Sequence, residues 1–289
     1  MKIFVYGQRA KEKDLPYIKE LLDNLNKAAI EVEVYKPFYT ELKNLLDIQY
    51  DTFEKEEELS VGSADYMITL GGDGTILSAM TLIKDASIPI VGINLGRLGF
   101  LASIEKQKIE QAIQDLVQKK YSIEKRSMLL LEGSLFEGMP YALNDFTILK
   151  RDTSSMITIH AYINGEFLNS YWADGLIVST PTGSTGYNLS CGGPIVFPGS
   201  GNFAVTPVAP HNLNVRPIVI PDNSELRFKI EGRSENYLCT LDSRYETIQA
   251  EQELVLKRGD FDTHLVKLED QRFMNTMRNK LNWGFDKRN

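Results

Sequence analysis

The chain has little of what metal centres, disulfide scaffolds and membrane proteins are built from. Its 289 residues include two cysteines, Cys191 and Cys239, and three histidines. Neither cysteine has a Cys-x-x-Cys or Cys/His neighbour pattern, so a disulfide framework and a zinc site find no support, and no protein-held metal is expected. His160, His211 and His264 show no metal spacing, and His160 falls in a strand pattern that suits a packed histidine. No apolar run is long enough to span a bilayer. The first residues, Met1 to Gly7, reach a glycine and charge too early for a secretory signal core, so a reducing, cytoplasmic setting is expected. Excess positive charge is missing as well: 32 Lys and Arg face 39 Asp and Glu, a net charge of -7. That balance lacks the footprint of a non-specific nucleic-acid or anionic-membrane binder, and a phosphate-rich ligand has to be held locally, by backbone N–H groups and a few placed cations. Neither a GxxxxGK[ST] loop nor the glycine loop and catalytic loop of protein kinases occurs.

What is present is apolar material for two cores, 43% of the residues. Ile3 to Tyr6 reads as a strand, and Asp14 to Lys27 places Leu15, Ile18, Leu21, Leu22 and Leu25 at helical spacing. Val32 to Tyr35 reads as a strand, and the charged stretch Thr40 to Leu59 as a helix or a helix with a mobile, solvated part. Tyr66 to Leu70 is a buried strand, Ile76 to Lys84 a helix, Ile88 to Ile93 another strand and Ile109 to Lys119 another helix. This alternation predicts an α/β first domain with a parallel, Rossmann-like sheet. From Ser122 to Lys257 the grammar is that of strands: Met128 to Leu131, Ala142 to Leu149, Ile157 to Ile163, Leu176 to Ser179, Ile218 to Ile220, Glu225 to Ile230, Tyr237 to Leu241 and Glu253 to Lys257. Gln271 to Leu281 closes the chain at helical spacing. The expected division is an α/β domain over residues 1–102, with 268–289 returning to it as a helix, and a β-rich domain over 103–267.

The motif of greatest chemical interest is Gly71-Gly72-Asp73-Gly74-Thr75, at the carboxyl end of a predicted strand and the amino end of a predicted helix. Ligands of open parallel sheets bind at that end, and a helix N-terminus offers free N–H groups to anionic oxygens. A carboxylate among phosphate-binding glycines is a poor phosphate ligand, but it suits the deprotonation of an alcohol that accepts a phosphoryl group. Asp73 is therefore the candidate base, and a helix-capping aspartate in a glycine turn is the plainer alternative.

Further motifs follow in order: Asn94-Leu95-Gly96-Arg97-Leu98-Gly99-Phe100-Leu101; Leu143-Asn144-Asp145; Ala173-Asp174-Gly175-Leu176 running through Ser179-Thr180-Pro181-Thr182-Gly183-Ser184-Thr185-Gly186-Tyr187 to Gly192-Gly193-Pro194; and Pro210-His211-Asn212-Leu213 with Arg216-Pro217. Together with the pentapeptide, this set resembles the NAD kinase family with high specificity from about Tyr66 to Pro217. The pentapeptide alone is shared with diacylglycerol and sphingosine kinases and, more loosely, phosphofructokinases. Two departures occur: Gly186 stands where many members have alanine, and Asp145 where many have glutamate.

The resemblance implies a β-sandwich-like second domain, a dinucleotide held between the domains, and a homotetramer or homodimer. It also implies transfer of a phosphoryl group from ATP with Mg²⁺ or another divalent cation, with other nucleoside triphosphates and inorganic polyphosphate open as donors, to the 2′-hydroxyl of the adenosine ribose of NAD. On this reading Asp73 is catalytic. Gly72, Gly74 and Thr75 meet phosphate, and Phe100 walls the adenine side. Asn144, Asp145 and Asp174 hydrogen-bond the adenosine, and Thr182, Thr185, Gly186 and Tyr187 form its loop, with Tyr187 as a stacking face. Taken singly, Asn-Asp and Asp-Gly pairs are ordinary turn formers. Arg97 and Arg216 are the cations nearest the motifs. A lipid kinase remains open as an alternative, although the acidic chain makes a poor interfacial enzyme. So does a non-catalytic NADP-binding regulator, which has no need of Asp73.

Overall fold

In a computed structural model of the chain, the described residues are 1–151, 155–232, 236–250, 252–269 and 271–283. They form two compact units, one from Met1 to Lys125 together with the chain from Thr263 onward, the other from Arg126 to Asp262. The expected change of domain near Leu101 to Ser103 thus lies inside the first unit. The reason is packing: Ile109, Ala112, Ile113 and Leu116 belong to the same core cluster as Ile18, Leu21, Leu22 and Leu25.

In the first unit, strands β1 (Lys2–Gly7), β2 (Glu31–Tyr35), β3 (Asp51–Phe53), β4 (Tyr66–Leu70) and β5 (Ile90–Asn94) run parallel in the order β5-β4-β1-β2-β3. β4 and β5 are buried at every position, as strands covered on both faces must be. Helices α1 (Leu15–Lys27), α2 (Lys36–Lys43), α3 (Asp73–Ile83) and α4 (Ile109–Val117) connect or flank them. Short β6 (Ile104–Glu105) pairs with β5. The charged stretch 40–59, expected as helix, is corrected: α2 ends at Lys43 and β3 follows. β3 is only three residues long, too short for periodicity to reveal. Its Phe53 is nonetheless fully buried, with ring centroids 4.6 Å from Phe4 and 5.7 Å from Tyr35.

β7 (Tyr121–Leu131) leads into the second unit, which is antiparallel throughout its assigned pairings. After β8 (Tyr141–Ala142) come β9 (Asp145–Lys150), β10 (Ile157–Ile163), β11 (Glu166–Ala173), β12 (Gly175–Ser179), the short helix α5 (Tyr187–Ser190), β13 (Asn202–Val208), β14 (Ile218–Pro221), β15 (Leu226–Glu231), β16 (Asn236–Leu241), β17 (Arg244–Gln249) and β18 (Leu254–Leu268). One sheet has the order β14-β13-β12-β9-β16-β17, and β11-β10-β15-β18 form another. Inward residues alternate along β10, β15 and β16, giving a core that includes Phe146, Ile159, Tyr171, Phe203, Phe228, Tyr237 and Cys239.

β18 is far longer than the expected Glu253–Lys257. Its charged residues interrupt the apolar pattern, yet they are paired in place, Lys257 with Glu132 at 2.7 Å and Arg258 with Asp262 at 2.9 Å. The strand's last residues lie in the first unit, where Leu265 pairs with Ile90. Helix α6 (Phe273–Leu281) follows there, with the Phe273 ring 6.3 Å from Phe100. The expected returning segment beyond Trp283 lies outside the described residues.

Candidate active site

The glycine-rich turn follows β4 directly, and Asp73 is the first residue of α3. Its carboxylate makes no cap on its own helix. Instead Oδ1 accepts the backbone N–H groups of Leu101 (3.0 Å) and Ala102 (2.9 Å), and Oδ2 accepts that of Phe100 (2.9 Å). The carboxylate is fixed by the second glycine-rich segment, and Oδ2, with a single N–H partner from that segment, retains the freer lone pair.

Asn94 shapes that segment by donating to the Arg97 carbonyl at 2.7 Å and accepting the Gly96 N–H at 2.7 Å. From behind, the buried Lys267 ammonium donates to Ser103 Oγ at 3.0 Å, with the Leu101 carbonyl at 3.4 Å. Gln271 ties in through Ser103. Nothing in the sequence motifs pointed to Lys267 or Gln271.

The glycines divide into two kinds. A Cβ on Gly99 would lie 1.8 Å from Asp73 Oδ1, and one on Gly71 would lie 2.1 Å from Thr75 Oγ1, so these two are required by packing inside the protein. A Cβ on Gly72 or Gly74 would meet nothing within 4 Å, and Gly72 is extended, a conformation open to any residue. Their small size leaves room beside the turn for something outside the chain. Gly72 and Thr75 border a cleft of about 710 Å³ at the carboxyl ends of β1, β4 and β5, which Arg97 also lines.

The second unit carries the remaining expected residues, and two of its loops meet. Gly183 lies so close to the Asn144 carbonyl that a Cβ would be 2.1 Å away. Thr180 donates through Oγ1 to the Leu143 carbonyl at 2.5 Å and through its N–H to that of Asn144 at 2.9 Å. Ser184 and Asn188, both fully buried, pin the loop. Ser184 Oγ accepts the Val196 N–H, while Asn188 donates to the Ser184 and Pro194 carbonyls and accepts from Thr206 Oγ1 at 2.6 Å. Thr182 accepts from the Arg126 guanidinium at 3.2 Å, and Thr185 leans back to the Thr182 carbonyl at 3.4 Å. Gly186 and Tyr187 are exposed. Burial first, then Cys191, then the charges of Asp145 and Asp174 push the Tyr187 hydroxyl above its ordinary range, which places both carboxylates within electrostatic reach of that hydroxyl.

Asp145 is held by a residue the sequence did not single out. Asp242, in the left-handed conformation at the β16–β17 turn, accepts the N–H groups of Leu143 (3.1 Å), Asn144 (2.7 Å) and Asp145 (3.3 Å). Its one signal in the sequence is its place in a turn between two strands. Burial, and secondarily the Asp242 charge, raise the Asp145 carboxyl to about 7. Burial also pushes Asp242 up, but its backbone donors oppose the rise, so Asp242 is the better carrier of charge and Asp145 of the proton. Asp174 is paired with Lys150 at 2.5 Å.

Arg216 is exposed, and its Nη1 donates to the Leu213 and Val215 carbonyls of its own loop at 2.5 and 2.8 Å. His211 orders that loop, its N–H bonded to the Trp172 carbonyl at 2.9 Å and its ring 4.2 Å from the Trp172 ring. His160 is half-buried in β10 beside Ser170 Oγ at 2.7 Å.

Open glycines beside a fixed carboxylate at the carboxyl end of a parallel sheet are features that a nucleotide-binding phosphotransferase requires. The ATP-NAD kinase N-terminal domain matches residues 5–121 and the ATP-NAD kinase C-terminal domain residues 143–268. An NAD kinase of Cytophaga hutchinsonii is 47% identical over 290 residues, covering 99% of both chains. One from Bacteroides fragilis is 43% identical over 290 residues and all of both chains. Among solved structures, an NAD kinase from Archaeoglobus fulgidus in complex with ATP shares 25% identity at a TM-score of 0.77, covering 98% of each chain. Yeast NADH kinase complexed with NADH shares the fold at a TM-score of 0.87 and 22% identity, covering 99% of this chain and 89% of that one. The chain belongs to the NAD kinase family and is an enzyme of that kind.

Proposed function

We propose that the chain moves the terminal phosphoryl group of ATP to the 2′-hydroxyl of the adenosine ribose of NAD, giving NADP. The observation that carries this reading is the pairing of Gly72 and Gly74, whose small size serves nothing inside the protein, with a carboxylate immobilised between them by three backbone N–H groups. A new P–O bond forms to the ribose oxygen and the bond to the β-phosphate breaks. The hydroxyl proton passes to Asp73 Oδ2, and ADP leaves. Because the transferring group needs little covalent help, catalysis rests on positioning and charge.

Gly72, Gly74 and Thr75 take the donor's phosphates, and Phe100 borders the acceptor. Asn144, Asp145, Asp174, Thr182, Thr185, Gly186 and Tyr187 hold the adenosine of NAD. Among the described residues no cluster of His, Cys, Asp or Glu could hold a metal. Mg²⁺ is therefore assigned to the donor, arriving on the phosphates of ATP, as this ion usually does. No described helix is long and apolar enough to cross a membrane.

The test is formation of NADP from NAD and ATP with Mg²⁺, coupled to an NADP-specific dehydrogenase, beside Asp73→Asn. The variant is expected to bind NAD as the parent does and to lose at least a hundredfold in kcat, the scale of a general-base contribution. A variant near parental rate removes Asp73 from the role of base.

A further inference from the structure

The cleft beside the glycine turn has a second wall that the motifs did not include. The loop from β1 to α1 runs along it and presents Arg9, Lys11 and Lys13, all exposed, opposite Arg97. The surrounding acidic chain makes this grouping unusual. Elsewhere in the first unit Lys2, Lys36, Lys84 and Lys106 each meet a carboxylate. Among the described residues none of the four cleft cations is in an ion pair. The loop is also anchored. Gln8 donates to Ser78 Oγ at 2.7 Å, the Ala10 N–H to Glu41 Oε2 at 2.8 Å, and the Asp14 N–H to the Lys11 carbonyl at 2.8 Å.

We propose that Arg9, Lys11 and Lys13, with Arg97 facing them, grip the outer phosphates of the donor and make donor affinity depend on phosphate charge. This rests on the reading of the site as a phosphoryl-transfer site and assigns its donor side. The glycine turn can supply N–H donors to the transferring group, but it brings no cation. A triphosphate needs several, and Arg9, Lys11 and Lys13 are the cations this wall of the cleft supplies. In a chain of net charge -7, placement replaces long-range attraction. The single acid lining the cleft, Asp14, is 5% exposed, and the Lys106 ammonium stands 3.9 Å from its Oδ1, so little negative charge opposes the phosphates.

The experiment compares the full-length parent with the triple variant Arg9→Gln, Lys11→Gln, Lys13→Gln, in which three exposed side chains change and the fold is retained. Steady-state kinetics with ATP and NAD are run with and without inorganic tripolyphosphate, and binding of ATP and of tripolyphosphate is measured by calorimetry. The expected result is a rise in the KM for ATP of about ten- to a hundredfold, as charge-assisted contacts are lost. The KM for NAD stays put, and tripolyphosphate competes with ATP in the parent only. An active parent whose variant keeps its KM for ATP and its inhibition by tripolyphosphate overturns the proposal. A parent that forms no NADP refutes the reaction. The loop assignment is then decided by calorimetry alone: weakened ATP binding in the variant supports it and equal binding overturns it.

Discussion

The residue with the most informative environment is Asp145. It is 7% exposed, shares its site with Asp242, and its carboxyl stands at about 7. An unfolded aspartate titrates near 3.9. Below about pH 4 both states hold the proton, and the site costs the fold nothing. As pH rises from there the unfolded chain loses its proton first, so the contribution of this group to stability falls and is fully lost once pH passes the folded value near 7. A displacement of this size corresponds to at most about 4 kcal/mol. Asp145→Asn, which cannot ionise, should therefore gain on the parent as pH increases from 5 to 8 in urea unfolding. Parallel stability profiles for the two proteins would mean that Asp145 is ionised throughout. The proton also bears on the ligand: only the ionised group accepts hydrogen bonds through both oxygens, so the parental KM for NAD should fall as pH rises through 7.

At the scale of elements, the loop from Ser179 to Pro194 shows how much of a site rests on residues that do not touch the ligand. Asn188 is wholly buried, and its amide makes three hydrogen bonds. Asn188→Ala would leave two carbonyls and the Thr206 hydroxyl without partners at a cost of about 1–3 kcal/mol each. The expected outcome is a lower melting temperature and a raised KM for NAD, with the KM for ATP unchanged. An unshifted KM for NAD would show that this loop is not part of the NAD site.

The motif positions were legible because glycines and hydroxyl residues signal close approach and open donors. The elements holding them were legible where periodicity is long, as in α1 and β10. They were not legible where strands are short, as in β3, or heavily charged, as in the second half of β18. Nor could sequence find Asp242, Lys267 and Arg126. Each reaches its partner from 56 to 166 residues away, and no local pattern encodes such a separation.

For the whole molecule, the two units draw differently on the chain. The core of the second unit runs from Leu129 to Leu256, entirely within the continuous stretch Arg126–Asp262. The first unit is assembled from both ends. Val266 and Leu268 belong to its core, Leu265 pairs with Ile90, and Lys267 backs the segment that holds Asp73. Burying each such aliphatic side chain is worth about 1.5–3 kcal/mol, a large share of the stability of a domain this size. Residues 126–262 expressed alone are therefore expected to unfold in one cooperative thermal transition with protected core amides, whereas residues 1–125 alone should lack one. The two fragments separate the possibilities cleanly. A cooperative 1–125 would show that the returning strand contributes only to the site, and a molten 126–262 would show that the second unit depends on the first for its fold.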